Sequence, residues 1–320
     1  MKNLMDIITG AALMPVVVID DHTKSVELAR ALCAGGIPVA EITFRTDCAR
    51  QAVQEIAEKV PEVTVGAGTV HTVDQARSAV DAGAKFIVTP GFVPDVVEWC
   101  LENDIPVIPG CSNATDIEAA LRFGLDTVKF FPAEVSGGIK ALKSFAGPYQ
   151  GLRFIPTGGI DENNVEEYLS LSNVAACGGS WMVPKNLIEA GDFSRIVSLC
   201  REAVRRAFGF ELLHVGVNTK DAQEAANIAN DFANLLSIPV RESTGSYFAG
   251  TMFEIMKRPF LGKNGHIAIQ ANDMERAVHH FECMGAELDM NSAVRDEKGG
   301  LIAIYFKETI GGFAIHLRRK

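Results

Sequence analysis

The chain has 320 residues, 48% of them apolar and 22% charged, with a formal net charge of −10 and a sequence pI near 5.3. An acidic balance without a basic patch argues against nucleic acid as a partner. The opening MKNLMDIITG is too short and too polar for a signal peptide, no apolar run approaches the roughly 18 residues of a membrane span, and the seven cysteines lie scattered without CxxC pairing, so a reduced, cytoplasmic protein is expected.

Over the first 210 residues, short apolar runs alternate with helical stretches. The runs are MPVVVID (14–20), PVAEITFR (38–45), VTVGAG (63–68), KFIVTP (85–90), IPVIPG (105–110), TVKFF (127–131), RFIPTGG (153–159) and VAACGGS (174–180). Strands that alternate with helices pair in parallel through right-handed crossovers. Eight such units in about 200 residues predict a compact (β/α)8 TIM barrel. An open, doubly wound sheet is the alternative, but VVVIDDHTKS lacks the glycine-rich turn that usually follows its first strand. Between the runs, DHTKSVELARALCAGG goes from a polar start to a double-glycine stop with Leu28, Ala31 and Leu32 on one face. PDVVEWCLEND places Pro94 in a first helical turn.

In such a barrel the chemistry sits at the C-terminal ends of the strands. Side chains alternate along a strand. In VAEITFR, Ala40, Ile42 and Phe44 should face the helices, and Glu41, Thr43 and Arg45 the interior. In TVKFF, Val128 and Phe130 take the helix side, which turns Lys129 inward. A lysine, a glutamate and an arginine are therefore expected in one barrel mouth. A buried ion pair with only a structural role produces the same pattern. In an apolar slot, however, desolvation and a neighbouring cation both work against an ammonium, and a neutral amine is a nucleophile toward a ketone or aldehyde. Lys129 is thus placed to form a Schiff base. The double glycines of IPTGGI and ACGGSW close the seventh and eighth runs, where freed backbone N–H groups cradle phosphate in barrels of this kind. Ser180 adds a hydroxyl there.

EITFRT, VGAGTV, IVTPG, KFFPAE, GPY, PTGGI and GGSWMVP, in this order over residues 1–207, resemble the 2-keto-3-deoxy-6-phosphogluconate and 4-hydroxy-2-oxoglutarate aldolase family. The resemblance implies a class I, metal-independent aldolase, without cofactor, on a (β/α)8 barrel that assembles as a homotrimer. It places the Schiff-base lysine at Lys129 and the general acid/base at Glu41. The substrate contacts fall on Arg45 and Thr69 for the pyruvyl carboxylate, on Gly158, Gly159 and Ser180 for the phosphate, and on Pro90 and Thr157 along the chain. The expected substrate is a small phosphorylated keto acid; the C4 epimer, a galactonate-type acid, stays open, as does a catalytically silent barrel that binds metabolites or fixes assembly. A metal-dependent aldolase is the rival mechanism, but His22 and His71 show no ligand spacing with carboxylates.

After REAVRRAFGFE the pattern changes. Residues 212–320 carry 12 basic and 13 acidic residues, so the barrel portion holds most of the acidity. LLHVGVNTKDAQEAANIANDFANLLSIPV and GHIAIQANDMERAVHHFECMGAEL share an order of strand and helix, each followed by short strands. This tandem βαβββ repeat predicts a separate α+β domain over 212–320. The pattern resembles the vicinal oxygen chelate (glyoxalase-like) family. Alternation sets His214, Glu254, His266 and His316 opposite the apolar faces of their strands. The resemblance makes these four the ligands of a divalent zinc, nickel, iron or manganese ion, with His316 standing where the family often has a glutamate. A metal-free relic is the other reading. His279 and His280, adjacent on a helix, are expected in solvent.

Overall fold

The computed structural model describes residues 4–320. The chain forms two compact units, Met1–Ala207 and Phe208–Lys320. In the first, a helix that the sequence reading did not single out, Leu4–Ala11, precedes the strands β1 Leu13–Val17, β2 Val39–Thr43, β3 Thr64–Gly68, β4 Ile87–Val88, β5 Val107–Ile108, β6 Gly110–Cys111, β7 Thr127–Phe130, β8 Arg153–Pro156 and β9 Cys177–Gly179. Adjacent strands pair in parallel, with Val16 opposite Glu41, Glu41 opposite Gly66 and Lys129 opposite Ile155. The fifth run is split because Pro109 has no N–H to give to the ladder. Its carbonyl still accepts from Lys129 N at 2.9 Å, so β5 and β6 act as one position in the ring. Thr157 bridges Gly178, and Leu13 pairs with Cys177, closing eight parallel positions into a barrel.

The helices cover the barrel with small and branched residues. The predicted helix after β1 begins as a 3-10 turn, His22–Lys24, and continues over Ser25–Ala34. Leu28, Ala31 and Leu32 are all buried, and Gly36, at φ 88°, takes the left-handed conformation that ends it. Pro94 starts the helix Pro94–Glu102 in the first position. Among the described residues no helix is long and apolar enough to cross a membrane.

The second unit repeats one plan twice. β10 Glu211–Asn218, a helix Ala222–Leu236, then β11 Val240–Glu242, β12 Ser246–Ala249 and β13 Phe253–Met256 make the first copy. β14 Gly265–Ala271, a helix Met274–Cys283, then β15 Leu288–Arg295, β16 Leu301–Ile310 and β17 Phe313–Arg319 make the second. All eight strands form one sheet, ordered β11-β12-β13-β10-β14-β17-β16-β15, and the two copies meet where β10 pairs antiparallel with β14. Ala225 and Ala229 of the first helix pack on Ile255, with Val217, Phe232 and Phe253 around them. The Phe232 and Phe253 rings stack at 4.1 Å. Because strand side chains alternate, this packing turns His214 and Glu254 to the opposite face.

One expectation fails here. His280 is not in solvent: it is 4% exposed, its ring 4.5 Å from that of Phe208 and within 6.3 Å of those of Phe210 and Phe281. Burial pushes its pKa down to about 4, and the neighbouring His279 adds to the shift. A histidine with this many aromatic neighbours belongs to the core, and sequence adjacency to a second histidine concealed it.

Candidate active site

Two strands of the first unit, β2 and β7, place Lys129 and Glu41 face to face. Val128 and Phe130 are fully buried on the helix side of β7, which leaves Lys129 to the interior. Its Nζ donates to Glu41 Oε1 at 3.0 Å and to Oε2 at 3.2 Å. Both residues are buried, Glu41 wholly. The ammonium also lies 5.3 Å from the centre of the Phe131 ring. A buried carboxylate that lost this partner would be strongly disfavoured, so each group holds the other in place. Alternation turned Lys129, Glu41 and Arg45 toward one barrel mouth, and of the two expected neighbours it is the Glu41 carboxylate that meets the ammonium.

The glycines around the pair explain why it fits. A Cβ on Gly68 would lie 2.0 Å from Glu41 Oε1 and 2.5 Å from its Cγ. The VGAG run therefore leaves room for the carboxylate, a role the sequence reading did not assign. A Cβ on Gly178 would lie 2.2 Å from Thr157 Oγ1, so β9 passes close over buried Thr157. Gly110 is needed in the same way against the Pro90 carbonyl, where a Cβ would come within 2.2 Å.

Other predicted residues take their places around this centre. β2 ends at Thr43, so strand alternation no longer sets the direction of Arg45. Arg45 is exposed, and its Nε donates to Thr69 Oγ1 at 3.2 Å. Thr69, at φ 57°, follows Gly68 directly. A guanidinium and a hydroxyl thus stand together beyond β2 and β3, suited to a carboxylate. Gly158 and Gly159 adopt φ 94° and 85°, the left-handed region that glycine tolerates. Ser180 is exposed and follows β9, whose Gly178 bridges Thr157. The two glycine loops therefore leave neighbouring strand ends. Glu134 was overlooked in KFFPAE: it packs where a Cβ on Gly159 would fall, and it accepts from the Tyr168 hydroxyl. Burial and then that hydrogen bond hold the phenol above its ordinary range. His22 Nδ1 lies 2.8 Å from Glu55 Oε1, a single carboxylate contact.

A family model described as "Aldolase: KDPG and KHG aldolase" matches residues 4–199. The chain belongs to the KDPG and KHG aldolase family. A 2-dehydro-3-deoxy-phosphogluconate aldolase of Treponema pallidum is 47% identical over 205 residues, which make up 64% of this chain and 98% of that protein. A KHG/KDPG aldolase of Escherichia coli K12 is 45% identical over 201 residues, 63% of this chain and 94% of the relative. Among solved structures, KDPG aldolase of Legionella pneumophila, with pyruvate captured as a covalent carbinolamine intermediate, aligns with a TM-score of 0.61 at 39% identity. It covers 63% of this chain and 99% of its own. This aldolase thus carries, beyond the length its relatives need, the second unit.

That unit has its own polar cluster. His214, His266 and His316 are 4%, 2% and 4% exposed, and they offer ring nitrogens that lie within 4.8 Å of one another. His214 Nε2 is 3.2 Å from His266 Nε2, and Glu254 Oε2 is 3.1 Å from the first and 3.2 Å from the second. These three contacts cannot all be hydrogen bonds, because a ring nitrogen either donates or accepts. At most two protons serve the triangle, and the third edge always sets like against like. A cation at the centre satisfies every edge at once. Tetrahedral ligands about 2.0–2.1 Å from an ion stand about 3.3–3.4 Å apart, close to the spacing here. Both ring nitrogens of His316 and Nδ1 of His266 are buried without a partner. Burial, and then His266 and His214, push the His316 pKa down to about 3, so it carries the free lone pair that a metal takes. Burial alone would raise the Glu254 pKa, but hydrogen bonds with His214, His266 and Ser246 outweigh it and hold the carboxyl well below its ordinary range. The donor set fits a divalent ion of the zinc, nickel, iron or manganese type.

Proposed function

We propose that the barrel is a class I aldolase that cleaves 2-keto-3-deoxy-6-phosphogluconate to pyruvate and glyceraldehyde 3-phosphate, and also 4-hydroxy-2-oxoglutarate to pyruvate and glyoxylate. The observation that carries this reading is the buried contact of Lys129 Nζ, on β7, with both oxygens of Glu41, on β2, inside the parallel barrel. Transfer of one proton across that contact gives a neutral amine and a carboxylic acid. The amine adds to the C2 ketone, the carbonyl oxygen takes up a proton, and the resulting carbinolamine loses water to form an iminium. Glu41, again a carboxylate, removes the C4 hydroxyl proton. The C3–C4 electron pair then flows into the iminium, and the aldehyde leaves. The enamine is protonated at C3, water adds to the iminium carbon, and pyruvate departs as the amine re-forms.

Arg45 and Thr69 are suited to the substrate carboxylate, a fork and a hydroxyl side by side. Gly158, Gly159 and Ser180 are suited to the phosphate, with Pro90 and Thr157 along the carbon chain. The family resemblance supports a homotrimer. The reading is tested by following pyruvate release from both acids with purified protein. Turnover is expected with wild type, none above background with Lys129→Ala, and about 10²- to 10⁴-fold less with Glu41→Gln. Wild-type activity in Lys129→Ala would contradict the assignment.

A second reading concerns the other unit, and the unmatched edge of the triangle of His214, His266 and Glu254 favours it. His214, Glu254, His266 and His316 hold one divalent ion. Such an ion, when bound, polarises an oxygen of a ligand or lowers the pKa of a bound water. The four residues supply its donors and bury it. Metal analysis of purified protein should find close to one ion per chain, lost in His214→Ala with His266→Ala. A protein that stays metal-free after dialysis against zinc, nickel, iron and manganese would overturn this reading.

A further inference from the structure

The four donors are not held alike. Glu254 has two oxygens, and they meet different neighbours. Oε2 faces His214 and His266. Oε1 accepts from Ser246 Oγ at 2.8 Å. Ser246 is 2% exposed and lies one strand away, on β12, where it is the diagonal neighbour of Glu254 on the same face: Phe248 pairs with Glu254, and Ser246 with Met256. A serine hydroxyl has one proton. Once that proton goes to Glu254, Ser246 Oγ is left to accept; Ser243 Oγ stands 2.8 Å from it and 3.0 Å from the Ser246 carbonyl, so the one Ser243 proton is given to Ser246 at one oxygen or the other.

The turn that carries these serines is fixed in turn. Ser246 N donates to Ser243 Oγ at 3.1 Å, and Ser243 N donates to the Ser246 carbonyl at 2.9 Å. Lys257, the residue that follows β13, donates from Nζ to the Ser243 carbonyl at 2.7 Å and from its backbone N to the Gly245 carbonyl at 3.0 Å. The hydroxyl therefore does not wander: its backbone is tied to both neighbouring strands, and its own position is buried.

We infer that Ser246 is a positioning residue that makes Glu254 a one-oxygen donor, with Oε1 occupied by the hydroxyl and only Oε2 presented to the histidines. The inference rests on the reading that the four residues hold a divalent ion. A carboxylate free to rotate would offer both oxygens and raise the number of protein donors from four to five. With Ser246 in place the set is three nitrogens and one oxygen. That set suits a small ion in tetrahedral geometry, and it disfavours ions that need more oxygen donors. The second copy of the repeat has no such serine-to-ligand bond to His316, both of whose nitrogens are unpartnered. The positioning device thus belongs to the one ligand that could bind in two ways.

The test uses the full-length protein, stripped of metal and titrated with zinc and with cobalt against a chromophoric chelator. Cobalt absorption and X-ray absorption at the metal report the coordination number. Ser246→Ala is expected to bind zinc about 10- to 100-fold more weakly than wild type and to show a higher coordination number with cobalt. Ser246→Thr and Ser246→Val form a matched pair that differ by one hydroxyl. Thr is expected to bind more tightly than Val by the same margin, whatever the added methyl does to both. Thermal unfolding of each metal-free variant shows that a folded protein is being titrated. Equal zinc affinity and an unchanged cobalt spectrum in Ser246→Ala, or equal affinities in Thr and Val, would overturn the inference while the metal site stands. Failure of wild type itself to take up either metal would overturn the site and the inference with it.

Discussion

Gly68→Ala is the sharpest perturbation available at the lysine–glutamate pair, because it touches neither residue chemically. The new methyl would lie 2.0 Å from Glu41 Oε1. To reach an ordinary contact of 3.4 Å, the carboxylate must withdraw by about 1.4 Å (3.4 − 2.0). Glu41 is wholly buried, so little space is open to it. A misplacement of about 1 Å in a catalytic group costs about 10²-fold, equivalent to about 2.7 kcal/mol in activation free energy. Overpacking should also lower stability by about 1–3 kcal/mol. Gly66→Ala is the control. It lies one pleat back on the same strand, and its methyl would fall 2.4 Å from the Phe86 ring rather than on Glu41. Pyruvate release coupled to lactate dehydrogenase, with urea unfolding measured alongside, separates the two effects. Gly68→Ala is expected to lose about 10²-fold in kcat, and Gly66→Ala to lose stability with a far smaller change in rate. The reasoning fails if a folded Gly68→Ala turns over as wild type, or if Gly66→Ala loses as much activity at equal stability.

Ser180→Ala should weaken kcat/KM for the phosphorylated acid by about 1–3 kcal/mol and leave 4-hydroxy-2-oxoglutarate unaffected; equal losses on both would remove the phosphate role. The His280 pKa is held near 4 in the folded chain, against 6.5 as its ordinary value. The unfolded chain then binds the extra proton, so stability falls as pH drops from about 6.5 toward 4, by up to about 3 kcal/mol. His280→Leu should flatten that slope in urea unfolding of the metal-free protein, and an unchanged slope would contradict the assignment. A chain ending at Ala207 should keep its aldolase kcat/KM within about threefold, since the Treponema pallidum relative is almost wholly accounted for by its 205 matched residues; a folded but inactive product would show that the second unit serves the site.

Much of the barrel was legible because its strands are short apolar runs with a period of two, and Lys129 stands out between Val128 and Phe130 whatever fold contains it. Alternation was enough to turn Lys129 and Glu41 inward. It does not set the direction of Arg45, which lies past the end of β2 and stands instead on its hydrogen bond to Thr69. The split at Pro109 follows from proline chemistry, but a run of IPVIPG reads the same for one strand or two. Gly68 looked like a strand glycine until the carboxylate that needs its space was seen. The histidines and Glu254 emerged from alternation opposite apolar faces. Ser246 did not, since a serine in SYFA is as common on a solvated edge, and its partner lies on a neighbouring strand. His280 was misjudged because no periodicity shows that Phe208 and Phe210, from a distant stretch of the chain, join the adjacent Phe281 around it.

The most direct test of the central claim is reductive trapping. Borohydride added to the protein in saturating pyruvate should fix the iminium on one lysine. Peptide mass analysis is expected to find the pyruvyl adduct on the peptide that contains Lys129, and Lys129→Ala should carry none. An adduct on a different lysine, or no adduct in an active wild-type enzyme, would contradict the Schiff-base mechanism built on Lys129 and Glu41.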